Sequence, residues 1–512
     1  MPSNSFRSRL LCLAVVLAGI VLIIPLLLCD PLPLQDYPAH LARMYVLAHI
    51  GQSATLAHYY QLRWAVLPNL AMDLIVPSLM RVMPLRWAGV VMVGIAVLGL
   101  PLSALLLSRR LFGRISPAAL VAFLMAYNRT LLWGFVNYEF GLVAAFFAFT
   151  GWIDVRRLAS GIRAFYLLLC AMLIFFCHFA AFGVFCILVT SYEVYELWAR
   201  RPLQLREACS ALIWLLPLML AGSLILLGPT KDQVHDSSFG SLASRATGLL
   251  DVVFQYNLRL DVLTFVLVVG VLLLAIRMGV ARIAPHAYFA LAALFFFYLV
   301  IPFAFLSALA VGKRLIIAFF LLAVAALDFT PPPRYRSAFA AGLVILFLLR
   351  MAYLDWNWVR ADVKYRQAEA VMLEIPPGQR VAPFVLLHSY PHLQNPPFAW
   401  IASELVWRRE DFVPIFAEVG QQPLSYRRPG APLSGSKFLT LDVARHQTVL
   451  DHPFVIFHPE DYDYVLIFGR SGFPQKLPEY MRLVREANDV AVLKIDQAAV
   501  FSLSASHPTQ KP

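Results

Sequence analysis

Charged side chains are missing from long stretches of this chain. Residues 164–192 contain no Asp, Glu, Lys or Arg, and neither do 208–230 or 283–312. A helix needs about 20 apolar residues to cross a hydrocarbon core of ~30 Å, so each stretch is long enough to span a bilayer. Similar apolar runs recur between residues 10 and 354. They predict spans at 10–29, 87–107, 117–134, 138–153, 164–180, 181–198, 207–228, 258–276, 285–309, 314–328 and 337–354. The fold class expected is mainly α: a polytopic membrane bundle of about 11 helices. No repeat of fixed period is visible along these runs.

Residues 30–86 interrupt the pattern. Pro31, Pro33, Pro38, Pro68, Pro77 and Pro84 break the segment, and Asp36, Arg43, Arg63, Asp73, Arg81 and Arg86 charge it. It reads as a structured first loop with helices lying along the membrane surface. Arg7 and Arg9 put the N-terminus in the cytoplasm, because short cytoplasmic loops carry the excess of Lys and Arg. With 30–86 outside and the second span starting near 87, five clusters fall inside: Arg109/Arg110/Arg114, Arg156/Arg157/Arg163, Arg200/Arg201/Arg206, Arg277/Arg282 and Arg334/Arg336. Making 64–83 a span would put the first of them on the wrong side. An odd number of spans leaves residues 355–512 outside, an N-in, C-out arrangement. The domains expected are therefore 1–354, transmembrane, and 355–512, a small extracytoplasmic α/β domain.

That tail reads differently from the bundle. Residues 357–374 continue the last span as a helix, and Pro376-Pro377-Gly378 makes a turn. Val381–Leu387 and Tyr462–Phe468 are short apolar runs suited to buried strands. Tyr480–Ala487 suggests a helix and Val490–Ile495 another strand.

Composition agrees with a membrane protein. Of 512 residues, 60% are hydrophobic and only 14% charged, with a mean hydropathy of +0.70; soluble domains run at about 45–50% and about 25%. A net charge of +12 raises nucleic acid as a partner, but the arginines sit in short turns and form no basic stripe interleaved with aromatics. Membrane lipids are the expected partner and nucleic acid is not. The six cysteines (Cys12, Cys29, Cys170, Cys177, Cys186 and Cys209) lie in or beside apolar runs, so no disulfide framework holds the soluble parts. Leu28 before Cys29 is too large for a lipoprotein cleavage site, and the first helix reads as an uncleaved anchor.

Candidate chemistry begins just after the first span, at Asp36-Tyr37-Pro38-Ala39-His40 and on to Arg43. If a helix starts near Asp36, Pro38 sits in its first turn, where proline is tolerated. Asp36, His40 and Arg43 then share one face. A carboxylate, an imidazole and a guanidinium together suit base-assisted transfer, with the carboxylate activating a hydroxyl and the cations holding a phosphate. A plain structural use is also open, in which Asp36 caps the helix and the other two sit at headgroup level. Asn137-Tyr138-Glu139, His178, Lys313-Arg314 and Arg350 all fall near the outer ends of later spans. Ionisable groups at membrane depth usually face a cavity or a partner. Snorkelling to the interface is the alternative for Lys313 and Arg314, and a satisfied buried histidine is the alternative for His178. The loop 229–257, with Lys231, Asp232, His235, Asp236 and Arg245, reads as mobile and able to close over a substrate. Asn128-Arg129-Thr130 matches a glycosylation sequon but lies within an expected span. His388 and His392 are too isolated to argue for a metal.

One span, a long first outer loop opening on an acidic motif, many further spans and an external C-terminal domain resemble the GT-C superfamily of membrane glycosyltransferases. That group includes protein O-mannosyltransferases, oligosaccharyltransferases and lipid A aminoarabinose transferases. The resemblance covers roughly residues 10–350 as architecture. Its motifs are Asp36-Tyr37-Pro38-Ala39-His40 and Leu107-Ser108-Arg109-Arg110-Leu111-Phe112-Gly113. It implies a polyprenyl-phosphate-linked sugar donor, a glycan or lipid acceptor, and a multi-pass protein of the bacterial inner membrane with a periplasmic C-terminal domain. By the same likeness Asp36 matches the acidic residue that acts as base or orients the acceptor, and Lys313 and Arg314 are candidates for the donor phosphate. Tyr37 stands where the family more often has a second acid. This leaves a divalent cation open as the one possible cofactor, with Glu139 as a second carboxylate for it. Two other readings compete: a transporter or flippase of lipid-linked glycans, and a non-catalytic partner of a polysaccharide assembly complex.

Overall fold

The computed structural model describes residues 4–200, 215–232, 239, 241–305, 308–386, 399–415, 420–427, 439–441, 458–472 and 476–506. Several residues discussed above lie outside these: Arg201, Arg206, Cys209, His235, Asp236, His388 and His392. The chain forms two compact units. The larger comprises Met1–Leu28, Ala65–Leu74 and Val90–Trp356, and the smaller Cys29–Trp64, Ile75–Gly89 and Asn357–Pro512.

The larger unit is a helical bundle. Among the described residues, 7 helices are long and apolar enough to cross a membrane: Arg9–Leu28, Leu85–Phe112, Val136–Val155, Ser160–Cys177, Phe179–Ala199, Leu258–Arg277 and Pro333–Met372. Shorter apolar helices lie at Pro117–Leu132, Leu216–Leu227 and Pro285–Val300, and another at Val311–Ala325. The chain is a multi-pass membrane protein.

Two of the expected spans take another form. Over 117–134 the chain makes a 3-10 helix, Pro117–Met125, opened by Pro117 and by the Ser116 hydroxyl accepting from the Ala118 N–H. It then breaks at Asn128, whose side chain accepts from the N–H groups of Thr130 and Leu131 and starts the short helix Arg129–Leu132. An Asn that bonds the backbone two and three residues on competes with a continuous helix. Asn128 is wholly buried, so the sequon offers no accessible amide. The second difference is at 285–309. The helix stops at Val300, because Pro302 pushes Ile301 into an extended conformation; a small antiparallel pair, Ala304–Phe305 with Ala308–Leu309, follows.

The connectors of this unit sort to two ends. At one end Arg110 pairs with Asp154 at 2.6 Å, Arg156 with Glu193 at 2.9 Å and Glu196 at 3.1 Å, and Glu196 with His286 at 2.8 Å. Arg114 bonds Asp328 and Thr330. Ala281–Ile283 pairs with Leu327–Phe329 beside them, and the Ser116 hydroxyl donates to the Leu327 carbonyl. The arginine-rich turns therefore meet one another. At the other end Asn137 holds the stretch 65–74. Its Oδ1 accepts from the Met72 N–H at 2.7 Å and its Nδ2 donates to Asn69 Oδ1 at 2.8 Å.

The smaller unit is built on a five-stranded sheet ordered Met481–Ala487, Val490–Ile495, Tyr464–Phe468, Val381–Leu386, Leu439–Leu441. The first two pairings are antiparallel and the last two parallel. Tyr464–Phe468 is buried at every position, as a central strand covered on both faces must be. Its core takes Ala42 and Val46 from the helix Tyr37–His49, and Tyr365, Ala368, Val371 and Met372 from the end of the helix Arg336–Met372. That helix runs on past the membrane stretch as the sequence indicates. The helix expected at Tyr480–Ala487 is instead the edge strand Met481–Ala487. Asn488 and Asp489 both have positive φ, 55° and 64°. Two such residues make a tight hairpin turn of the type that matches strand twist, and this turn folds the segment back onto Val490–Ile495.

Candidate active site

In the smaller unit the acidic motif forms the start of a helix, as its spacing indicates. Asp36 is the N-cap of Tyr37–His49, with Pro38 in the first turn. Its backbone, at φ −89° and ψ −6°, is already helical, and its side chain makes no capping hydrogen bond. Its carboxylate Oδ1 accepts from the indole N–H of Trp400 at 3.1 Å. His40, one turn on, is part-exposed, while Arg43 is wholly buried.

The helix start is fixed by close packing. A Cβ on Gly89 would lie 2.1 Å from the Tyr37 hydroxyl, so only glycine lets that ring lie flat against this backbone. Nearby, the Asp30 N–H donates to Asp362 Oδ1 at 3.1 Å, and Asp362 pairs with Arg366 at 2.7 Å. Burial raises the Asp30 carboxyl against the pull of Arg86, whose Nε stands 3.6 Å away. Just beyond Trp400, burial pushes Glu404 up to about 8 against the pull of Arg408.

In the larger unit the end that carries Asn137 holds a second group of residues. Asp251 is wholly buried and accepts from Lys313 Nζ at 2.6 Å and Arg129 at 3.2 Å. Both cations lie over the Trp133 ring, Arg129 at 4.8 Å and Lys313 at 5.3 Å, and Arg129 also covers Phe254 at 4.2 Å. Two partly exposed cations sharing one carboxylate leave a net positive charge on an aromatic floor. A cleft beside Lys313 is lined by Ser244, Arg245, Gly248, Tyr298, Phe303 and Gly312. Arg314 stacks on Phe135 at 4.3 Å, and its carbonyl accepts from the Tyr138 hydroxyl. Glu139 is buried and accepts from the Thr130 hydroxyl. His178 caps its helix, with Nδ1 accepting from the Ala180 N–H at 3.0 Å, and meets Tyr138 edge-on at 5.5 Å. Arg350 is buried at 1% exposure, donating to Asp261, Thr264 and the Val253 carbonyl.

The structure thus gathers Glu139, His178, Lys313 and Arg314 at one end of the larger unit, and Asp36, His40 and Arg43 on one helix of the smaller. Arg129, Trp133, Asp251 and Trp400 were not singled out from the sequence. Arg129 carried a usable signal, a charge inside an expected span, which the sequon reading set aside. Among the described residues, no three His, Cys, Asp or Glu side chains stand close enough to hold a metal ion.

The fold of the chain is similar to that of a solved structure, ArnT from Cupriavidus metallidurans in the apo state, with a TM-score of 0.50 and 12% identity over 96% of this chain and 98% of that one. At this identity the likeness is one of fold. No protein-family model matches the chain, and no curated protein does.

Proposed function

We propose that the chain is an integral membrane glycosyltransferase that moves a sugar from a polyprenyl-phosphate-linked donor to an envelope glycan or lipid acceptor. The observation that carries this is the Asp251, Lys313 and Arg129 group, net positive on the face of Trp133. A phosphodiester oxygen suits such a group, because charge-assisted hydrogen bonds to phosphate are strong and short. Arg314 and Arg245 extend the positive field. Asp36 takes the proton of the acceptor hydroxyl, with His40 and Arg43 supporting it. The hydroxyl oxygen bonds the anomeric carbon, the bond from that carbon to the phosphate oxygen breaks, and polyprenyl phosphate leaves with the electron pair. Glu139 and His178 shape the surroundings of Arg314, and Arg350 braces the bundle that carries these groups.

The test is transfer of labelled sugar from a polyprenyl-phosphate donor by the purified chain in lipid nanodiscs. Lys313→Gln is expected to raise KM for the donor about tenfold or more, the loss of one charge-assisted contact. An unchanged donor KM would remove the phosphate assignment. Lipid-linked glycan crossing the bilayer without any transfer would favour a transporter instead.

The reading also needs the C-terminal unit outside. Alkaline phosphatase fused after residue 512 is expected to be active in cells, since that enzyme folds only beyond the cytoplasm. An inactive fusion with an intact, expressed chain would reverse the topology.

A further inference from the structure

The Asp36 carboxylate is aimed by a residue 364 positions away in sequence. The Trp400 indole is 7% exposed and packs with Ala39 and Ala399 in a small apolar cluster. Ala39 lies in the first turn of the helix that Asp36 begins. One face of the indole is therefore clamped on that turn while its N–H reaches the carboxylate. The donor is unusual in kind. An indole N–H donates only; it neither accepts nor changes charge in the working pH range. A donor of this sort favours the ionised carboxylate over the neutral acid. It also restrains the orientation of the Asp36 carboxylate by holding Oδ1. The Asp36 side chain makes no capping bond to its own helix.

We propose that Trp400 is a positioning residue for the transfer reaction, acting through Asp36. It holds the carboxylate ionised and oriented toward the acceptor hydroxyl. This rests on the reading of Asp36 as the proton acceptor, and the experiment separates the two.

Trp400→Phe keeps a large ring and removes only the N–H. The expected result is a fall in kcat of about tenfold or more, the loss of one hydrogen bond to a charged group, with donor KM unchanged. The acidic limb of the kcat/KM profile moves to higher pH, because the carboxylate loses a bond that favours its charge. Trp400→His, which keeps a ring N–H, recovers part of the loss. In an Asp36→Asn background Trp400→Phe adds no further loss, since the group it acts on is gone. A Trp400→Phe enzyme with wild-type kcat and pH profile would overturn the proposal. So would an equal loss with and without Asp36. If Asp36→Asn itself transfers sugar at the wild-type rate, the base assignment fails first, and the proposal fails with it. Melting temperatures of all variants in the same nanodiscs report whether a loss comes from unfolding.

Discussion

Asp36→Asn is expected to lower sugar transfer by about 10³-fold, within the range that a positioned general base contributes, while donor KM stays near the wild-type value. Asparagine is nearly isosteric, so the helix Tyr37–His49 keeps its start and the packing of Tyr37 on Gly89 is undisturbed. The side chain also makes no cap whose loss would destabilise the helix. What disappears is the acceptor for a proton. A fall in kcat and kcat/KM together, with KM steady, marks an interaction made in the transition state. Asp36→Glu keeps the charge but moves it by one methylene, and recovers only part of the rate. A variant that transfers at the wild-type rate would take Asp36 out of the chemistry.

The second large effect is on stability. Arg350→Leu leaves the Asp261 carboxylate buried without its main cation, and removing one partner of a buried ion pair typically costs about 3–5 kcal/mol. Asp261 is wholly buried and bonded to Arg350 at 3.0 Å, and the same guanidinium also donates to Thr264 and to the Val253 carbonyl. The double variant Arg350→Leu with Asp261→Leu is expected to be less damaged than Arg350→Leu alone, because no uncompensated charge remains. Unfolding in detergent, compared across the two single variants and the double, measures this. A double variant as unstable as the sum of the two singles would mean that the pair is not the source of the loss.

The elements that could be read from the sequence are those with local causes. Charge-free runs mark the helices, since nothing else explains 29 residues without Asp, Glu, Lys or Arg from 164 to 192. The spacing Asp36-Tyr37-Pro38 marks a helix start because Pro38 fits only its first turn. The 3-10 stretch at Pro117–Met125 was hidden, because its apolar composition suits either helix and the break comes from one asparagine side chain. The edge strand Met481–Ala487 was hidden by residues that favour helices; its state is decided by the two-residue turn that follows. The partners of the site residues were out of reach altogether. Asp251 finds Arg129 at a separation of 122 residues and Lys313 at 62, and no periodicity carries such information. What a linear reading can offer there is residue type at an unusual depth, which Arg129 supplied.

The ion pairs among the arginine-rich turns have a consequence for how the chain is assembled as it is made. Arg110 and Asp154 are 44 residues apart, and Arg114 and Asp328 are 214 apart. At a synthesis rate of about 5–20 residues per second, the first pair is complete within roughly 10 s and the second only after roughly 10–40 s. During that interval the early helices are already in the bilayer, and the guanidinium of Arg114 waits in water. Asp328 and the Ser116–Leu327 contact arrive together, so this end of the bundle closes late. The turn after residue 325 therefore acts as a latch on helices inserted long before it.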